Sequence, residues 1–161
     1  MGDWENGERA RETEREKYTT FIIFLGNGAE IVQLAALNLA TSNSFEKFIL
    51  PGKPTHPKAV EITQLYSTGC KLFYKGKPMK TEPVKDVLNS FIDWLPNDAL
   101  LVAHNCKKFD TNIIVSHYQN HDLINKLKEN VTGFSDTLPL FQQKIPNLRS
   151  YSQSSLATEI L

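Results

Sequence analysis

The residues of this chain best suited to chemistry lie in one short segment, which runs from Leu101 to Asp110. An apolar stretch that predicts a buried strand leads there into His104 and Asn105, and Asp110 follows in the first turn of a predicted helix. A carboxylate in that position can complement the positive end of the helix dipole, and carboxylate oxygens are also the ligands that Mg²⁺ prefers. Asn105 can accept hydrogen bonds from backbone donors at the strand-to-helix turn. This segment is the first candidate for a functional site.

A second group of residues could bind a polyanion. Lysines cluster around two aromatic residues and again beside the segment above: Lys71, Lys75, Lys77 and Lys80 flank Phe73 and Tyr74, and Lys107 and Lys108 precede Asp110. Lysines pair with phosphates and aromatic rings stack on unpaired bases, a combination typical of single-strand binding. A solvated lysine face fits the same pattern. Any binding is expected to be weak and salt-dependent, with these candidate contacts: Tyr74, Lys75, Lys77, Asn105, Lys107 and Lys108.

Composition excludes several classes of protein. The 161 residues are 40% hydrophobic and 22% charged, which suits one domain with a core, and the formal net charge of zero gives no overall attraction to polyanions. The two cysteines form no CxxC pair, so neither a zinc site nor a disulfide framework is indicated. No apolar run is long enough to cross a bilayer, and the N-terminus is charged where a signal peptide is apolar. These features predict a soluble intracellular protein, nuclear or cytoplasmic, with no membrane partner.

The chain divides into two parts by composition. Residues 1–18 are densely charged and almost without apolar side chains, which predicts a disordered or fraying tail. Residues 19–161 form the predicted domain. It begins with three strands, at Thr20–Phe24, Ile31–Leu39 and Phe45–Leu50, and the first two are separated by turn residues at Gly26–Gly28. Short connections predict that the three strands form an antiparallel meander.

Helical patterns dominate the rest of the domain. A short helix is predicted from Pro57 to Tyr66, with Val60, Ile62 and Leu65 directed inward. Apolar residues recur at three- and four-residue intervals from Val84 to Leu95, a pattern that indicates a helix which Thr81 could cap and Pro96 ends. The remaining predicted elements are a strand at 99–103, helices at 107–118 and 123–129, a strand at 133–136, and helices at 138–143 and 151–161.

This order of elements and several of its motifs resemble the ribonuclease H-like fold of DEDD-type 3′-to-5′ exonucleases. The resemblance covers residues 19–161 and is nearest to the three-prime repair exonucleases and to the exonuclease-like segment of the promyelocytic leukaemia protein. It rests on these pieces taken together: Phe21–Phe24, Ala29–Ala36, Phe48–Pro51, Glu61–Thr63, Leu101–Asp110 and Ser135–Leu138. The resemblance implies an α/β fold with a mixed sheet flanked by helices, and an element cut short at the C-terminus.

The family implies a chemistry against which this chain can be compared. Its members hydrolyse a terminal phosphodiester with two divalent cations, Mg²⁺ or Mn²⁺, held by four acidic residues. Asp110 matches the third of these residues and would be a metal ligand. The first two, an Asp-x-Glu pair after the first strand, are replaced by Leu25-Gly26-Asn27-Gly28. Glu30 could substitute as a ligand, although a turn glutamate is the favoured interpretation.

The end of the motif set is also missing. The family has a histidine and then an aspartate on the last helix, after a start like Ser150-Tyr151-Ser152, and neither residue is present before Leu161. Asp136 matches an Asp-Thr-Leu of the family, but we favour a helix-capping role for it.

Three hypotheses follow from this comparison. The first is a catalytically incomplete exonuclease-like domain that binds a protein partner or a single-stranded nucleic-acid 3′ end. The second is an active exonuclease that uses Glu30, Asp110 and Asp136, or that completes its site from another chain in a homo- or hetero-oligomer. The third is a shortened product of an active enzyme.

Overall fold

The computed structural model describes residues 18–25, 30–106 and 110–160, with side chains from residue 30 onward. The predicted tail up to residue 17, the Gly26–Gly28 turn and the candidate contacts Lys107 and Lys108 lie outside the described residues. The first strand begins at Tyr18, one residue inside the predicted tail. None of the described helices is both long and apolar enough to span a membrane.

A five-stranded mixed sheet forms the centre of the domain, in the order β3-β2-β1-β7-β8. Its strands are β1 (Tyr18–Leu25), β2 (Ile31–Asn38), β3 (Ser44–Phe48), β7 (Ala99–Ala103) and β8 (Val131–Asp136). The first three pair antiparallel, which confirms the predicted meander. β1, β7 and β8 run parallel, so the carboxyl ends of these three strands meet at one edge of the sheet. We call this the carboxyl edge.

Six helices in the described part of the chain lie close to the positions that periodicity predicts. They are α1 (Pro57–Thr63), α2 (Val84–Trp94), α3 (Asp110–Asn120), α4 (Ile124–Asn130), α5 (Thr137–Lys144) and α6 (Gln153–Ile160). The apolar stripe of α2 is buried as predicted, with Phe91 fully enclosed beside Phe45 of β3. The predicted cap at Thr81 is wrong, because Pro83 precedes the helix directly and Thr81 instead forms a bridge with Phe48.

A second sheet of three strands was not predicted from the sequence. It consists of β4 (Leu65–Thr68), β5 (Lys71–Tyr74) and β6 (Lys77–Met79), which pair antiparallel in this order. The predicted helix over Pro57–Tyr66 is therefore too long: α1 ends at Thr63, and Gln64 has a left-handed backbone with φ of 58°. Leu65 is buried as predicted, but Ile62 is 82% exposed. Helical spacing predicted that the side chain of Ile62 is buried. The prediction is wrong because the helix ends at Thr63 and no other described element packs over this face.

Local turn chemistry and apolar alternation explain this small sheet. Lys75 and Gly76 have φ of 50° and 77° and form a two-residue turn between Tyr74 and Lys77, the geometry that tightens a hairpin. Leu65 and Leu72 are buried together with Val32 of the main sheet. The small sheet thus packs on the β2–β3 end of the main sheet.

Candidate functional site

The carboxyl edge brings together the polar residues of the first candidate segment. Ala103 at the end of β7 pairs with Asp136 at the end of β8, so the turn with His104 and Asn105 lies directly beside Asp136. Asp110 begins α3 a few residues later. The carboxylates of Asp110 and Asp136 are close enough for their charges to interact.

Asp136 organises the turn that follows β7. It is 8% exposed, and its Oδ1 accepts hydrogen bonds from the backbone N–H of Leu138 at 2.9 Å and of Asn105 at 2.7 Å. The first bond caps helix α5, as the sequence analysis favoured. The second joins the end of β8 to the turn after β7, where Asn105 has a left-handed φ of 58°. Asn105 tolerates this conformation better than most residues do. Asp136 therefore has a structural task at the edge.

Asp110 is partly buried, and its electrostatic surroundings are unfavourable to charge. Desolvation by burial raises the pKa of its carboxyl group above the ordinary value, and the negative charge of Asp136 raises the pKa further. Burial also raises the pKa of the nearby Cys106 thiol, to which both carboxylates contribute. The region around Asp110 thus has negative charge that its described surroundings do not compensate.

The side chain of His104 connects three segments of the chain through its two ring nitrogens. Its Nε2 lies 2.6 Å from the backbone carbonyl of Tyr151, and its Nδ1 lies 3.0 Å from the Oγ1 of Thr137. A carbonyl only accepts hydrogen bonds, so Nε2 must carry a proton, and in the neutral ring Nδ1 accepts from the Thr137 hydroxyl. His104 also lines an apolar cavity of about 290 Å³ between α5 and α6. The sequence motif drew attention to His104, but it did not predict that this side chain binds Thr137 and Tyr151.

Glu30 immediately precedes β2 and binds the loop after β3. Its two carboxylate oxygens accept hydrogen bonds from the backbone N–H groups of Gly52 and Lys53, both at 3.1 Å. A side chain at position 52 would meet Glu30 Oε1 at 3.0 Å, so Gly52 permits this close approach. Glu30 thereby has a local role in holding the loop.

The other candidate contacts belong to the small sheet and not to the carboxyl edge. Tyr74 ends β5, Lys77 begins β6, and Lys75 lies in the turn between them. The ammonium group of Lys75 lies 5.2 Å from the centre of the Tyr74 ring. Tyr74 also lines a cavity with Gln33 and Glu46 of the main sheet. Neither of these two residues stood out in the sequence, because their proximity depends on strand pairing and on the packing of the small sheet.

The donor atoms can be compared with the requirements of a metal site. Within the described residues, no three His, Cys, Asp or Glu side chains come together in a group that could hold a metal ion. The described carboxylates at the carboxyl edge are Asp110 and Asp136, and an oxygen of Asp136 already accepts two backbone hydrogen bonds. This set does not fit a pair of divalent cations, which requires several carboxylates at short range.

Comparison with known proteins identifies the fold. Residues 28–160 match the family model described as the Exuperantia RNase H-like domain. No curated protein sequence matches the chain.

Solved structures of exonuclease I have a similar fold. A zinc-bound form of the E. coli exonuclease I–ssDNA complex has a TM-score of 0.62 and 12% identity, over 85% of this chain and 32% of that one. The complex of E. coli exonuclease I with a dA16 oligonucleotide has a TM-score of 0.59 and 14% identity, over 78% of this chain and 28% of that one. The chain thus spans about a third of the exonuclease I chains. The predicted ribonuclease H-like exonuclease fold is confirmed, while the narrower likeness to three-prime repair exonucleases stays a prediction.

Proposed function

Because the chain belongs to the Exuperantia RNase H-like family, we propose that it is an exonuclease-like domain that binds single-stranded nucleic acid and lacks a complete catalytic centre. The observation that supports incomplete catalysis most directly is that the carboxylate of Asp136 already accepts structural hydrogen bonds. Its Oδ1 accepts hydrogen bonds from two backbone N–H groups, and Asp110 is the other carboxylate of the carboxyl edge within the part of the chain that the structure describes. One such ligand is too few for two-metal hydrolysis.

The sequence around the first strand supports the same proposal. The last residue of β1 and the four positions after it, from Leu25 to Ala29, contain no Asp or Glu. Glu30 is engaged with the loop at Gly52 and Lys53. We propose that Asp110 contacts at most one Mg²⁺ or Mn²⁺ ion, and weakly, because a single aspartate cannot replace the hydration shell of the ion.

Binding of nucleic acid is supported by the fold and by local charge. Exonuclease I of the same fold has been solved with ssDNA and with an oligonucleotide. In this chain, Asn105 lies at the carboxyl edge, Lys107 and Lys108 follow it in sequence, and Tyr74 carries Lys75 beside its ring. With a net charge of zero, the chain depends on such local groups, so the affinity should fall steeply with salt.

The test measures binding and hydrolysis separately. Fluorescence anisotropy with labelled twelve-nucleotide single strands of RNA and DNA in EDTA should show binding. The logarithm of the association constant should fall with the logarithm of the salt concentration with a slope of roughly −2. This slope corresponds to about three phosphate contacts, since each contributes about −0.7 for single strands. Gel analysis of the same strands with Mg²⁺ or Mn²⁺ should show no released nucleotides.

Two outcomes would contradict this proposal. The absence of binding to any single strand would refute the binding function. Metal-dependent release of nucleotides from the 3′ end, abolished by Asp110→Asn, would instead establish the active exonuclease that uses Asp110.

A further inference from the structure

A cavity of about 460 Å³ lies where the small sheet and the end of α1 meet β2 and β3. It is separate from the carboxyl-edge turn, since β2 and β3 lie on the other side of β1 from β7 and β8. Its wall combines apolar and polar side chains: Gln33, Glu46, Phe48, Ile62, Tyr74 and Met79. The volume is ample for one nucleotide base with part of its sugar.

Strand register explains why polar groups face this cavity. Gln33 pairs with Phe48 and Ala35 pairs with Glu46, so these four side chains share one face of the β2–β3 pair. The opposite face carries buried apolar residues, among them Leu34, that pack in the main core. The cavity therefore lies on the sheet face away from the main core.

One side of the cavity has the composition of a single-strand binding surface. Tyr74 is 38% exposed and has Lys75 Nζ 5.2 Å from its ring centre. Lys77 pairs with Tyr74 across β5 and β6 and so lies on the same face of the small sheet. The segment from Lys71 to Lys80 contains four lysines and no acidic residue, while Glu61 and Glu82 lie outside it. A base can stack on Tyr74 while neighbouring phosphates pair with the lysines.

The wall of the cavity formed by the main sheet carries an amide and a carboxylate that bind each other, those of Gln33 and Glu46. Gln33 Nε2 donates to Glu46 Oε1 at 2.6 Å, which orients the amide and positions the carboxylate. An ionised carboxylate only accepts hydrogen bonds, through two oxygens with several lone pairs. Among the nucleobases, guanine presents two parallel donors on its Watson–Crick edge, the N1–H and the 2-amino group. Uracil presents one N–H between two carbonyl oxygens, which a carboxylate repels.

We infer that this cavity binds one base of a single strand and selects guanine, which stacks on Tyr74 and donates two hydrogen bonds to Glu46. The inference rests on the proposed nucleic-acid binding and adds base selectivity to it. Lys75 and Lys77 hold the adjoining phosphates and contribute affinity without selecting a base.

The experiment compares seven-nucleotide labelled RNAs that are all uridine or carry one central guanosine, inosine, adenosine or cytidine. The wild-type chain should bind the guanosine strand roughly five- to tenfold more tightly than the uridine strand, which is the lower end of the discrimination that one bidentate contact provides. Inosine lacks the 2-amino group and should lose part of this preference. Glu46→Gln should remove the guanosine preference but retain binding to the uridine strand. Tyr74→Ala should weaken binding to every strand.

The controls separate this inference from the proposed function. Glu46 is exposed, so Glu46→Gln should keep the wild-type thermal stability, and Lys128→Ala on exposed α4 should bind every strand as the wild type does. Equal affinity of the wild type for all strands, or a guanosine preference that survives in Glu46→Gln, would overturn the inference while leaving the proposed function intact. Failure of these RNAs to bind would overturn the inference alone if the twelve-nucleotide strands still bind, and failure of both sets of strands would refute the proposed function as well.

Discussion

Asp110 and Asp136 lie at the same edge of the sheet, but their surroundings assign them different tasks. Asp136 is buried and holds two backbone N–H groups, so its negative charge is part of the local architecture. Asp110 begins a helix, where the dipole favours a carboxylate, yet burial and Asp136 together raise its pKa. The unfavourable effects outweigh the dipole at this residue.

Asp110→Asn is therefore expected to stabilise the protein at neutral pH. A raised folded-state pKa means that this group favours folding below its unfolded pKa of about 4, and that this contribution is lost as pH rises through the folded pKa. The asparagine variant stays uncharged, so its melting temperature should exceed that of the wild type at pH 7 by about 1–3 °C and approach it near pH 3. Calorimetry across this pH range measures the difference.

Asp86→Asn provides the matched control. Asp86 also lies in the first turn of a helix, but it is exposed. Loss of its charge should slightly lower the melting temperature at pH 7, because only the favourable dipole interaction is removed. A lower melting temperature for Asp110→Asn as well would show that the dipole dominates at both sites.

Among the elements, the C-terminal helix α6 is linked to the rest of the domain through His104. His104 at the end of β7 reaches Thr137 at the start of α5 and the carbonyl of Tyr151 just before α6. Leu156 is the buried residue of α6. With so little apolar burial, α6 should be held in place partly by the hydrogen bonds of His104.

His104→Ala should therefore loosen α6 more than the rest of the domain. It removes two hydrogen bonds, each worth about 0.5–1.5 kcal/mol. Hydrogen–deuterium exchange with mass spectrometry should show faster exchange in Gln153–Ile160, and much smaller changes in α2. His56→Ala, which removes the cap of α1 alone, should leave exchange in α6 unchanged. Equal exchange in α6 for wild type and His104→Ala would exclude the tether.

At the scale of the whole molecule, an apolar core between the main sheet and α2 stabilises the domain. Phe91 is fully buried, and its ring lies 5.3 Å from that of Phe45 and 6.1 Å from that of Trp94. This aromatic group joins the edge strand β3 to the helix. The β2–β3 wall of the 460 Å³ cavity therefore has a rigid support.

Phe91→Ala is expected to lower the free energy of unfolding by about 3–5 kcal/mol, because the surroundings cannot fill the cavity that it leaves. Urea unfolding followed by tryptophan fluorescence measures the change. Ile62→Ala should change it by less than about 0.5 kcal/mol, since that side chain is 82% exposed. A large loss in Ile62→Ala would mean that the sequence-based inward placement of Ile62 was correct.

Periodicity and motif spacing were sufficient for the elements whose pattern is local. The stripe of α2, the strand Ala99–Ala103 and the meander could be predicted, because side-chain alternation reflects which face each segment buries. The family motif likewise located Asp110 in the first turn of a helix, and the capping role of Asp136 followed from its place before α5.

Contacts between distant segments could not be obtained in this way. The small sheet was missed because three short strands have too few residues for a clear period, and their pairing depends on packing against Val32. Two features depend on how strands and helices pack in three dimensions. One is the hydrogen bond between His104 and the carbonyl of Tyr151, and the other is the cavity that Tyr74 lines together with Gln33 and Glu46. A linear pattern records which face of a segment is apolar, but not which remote segment will cover it.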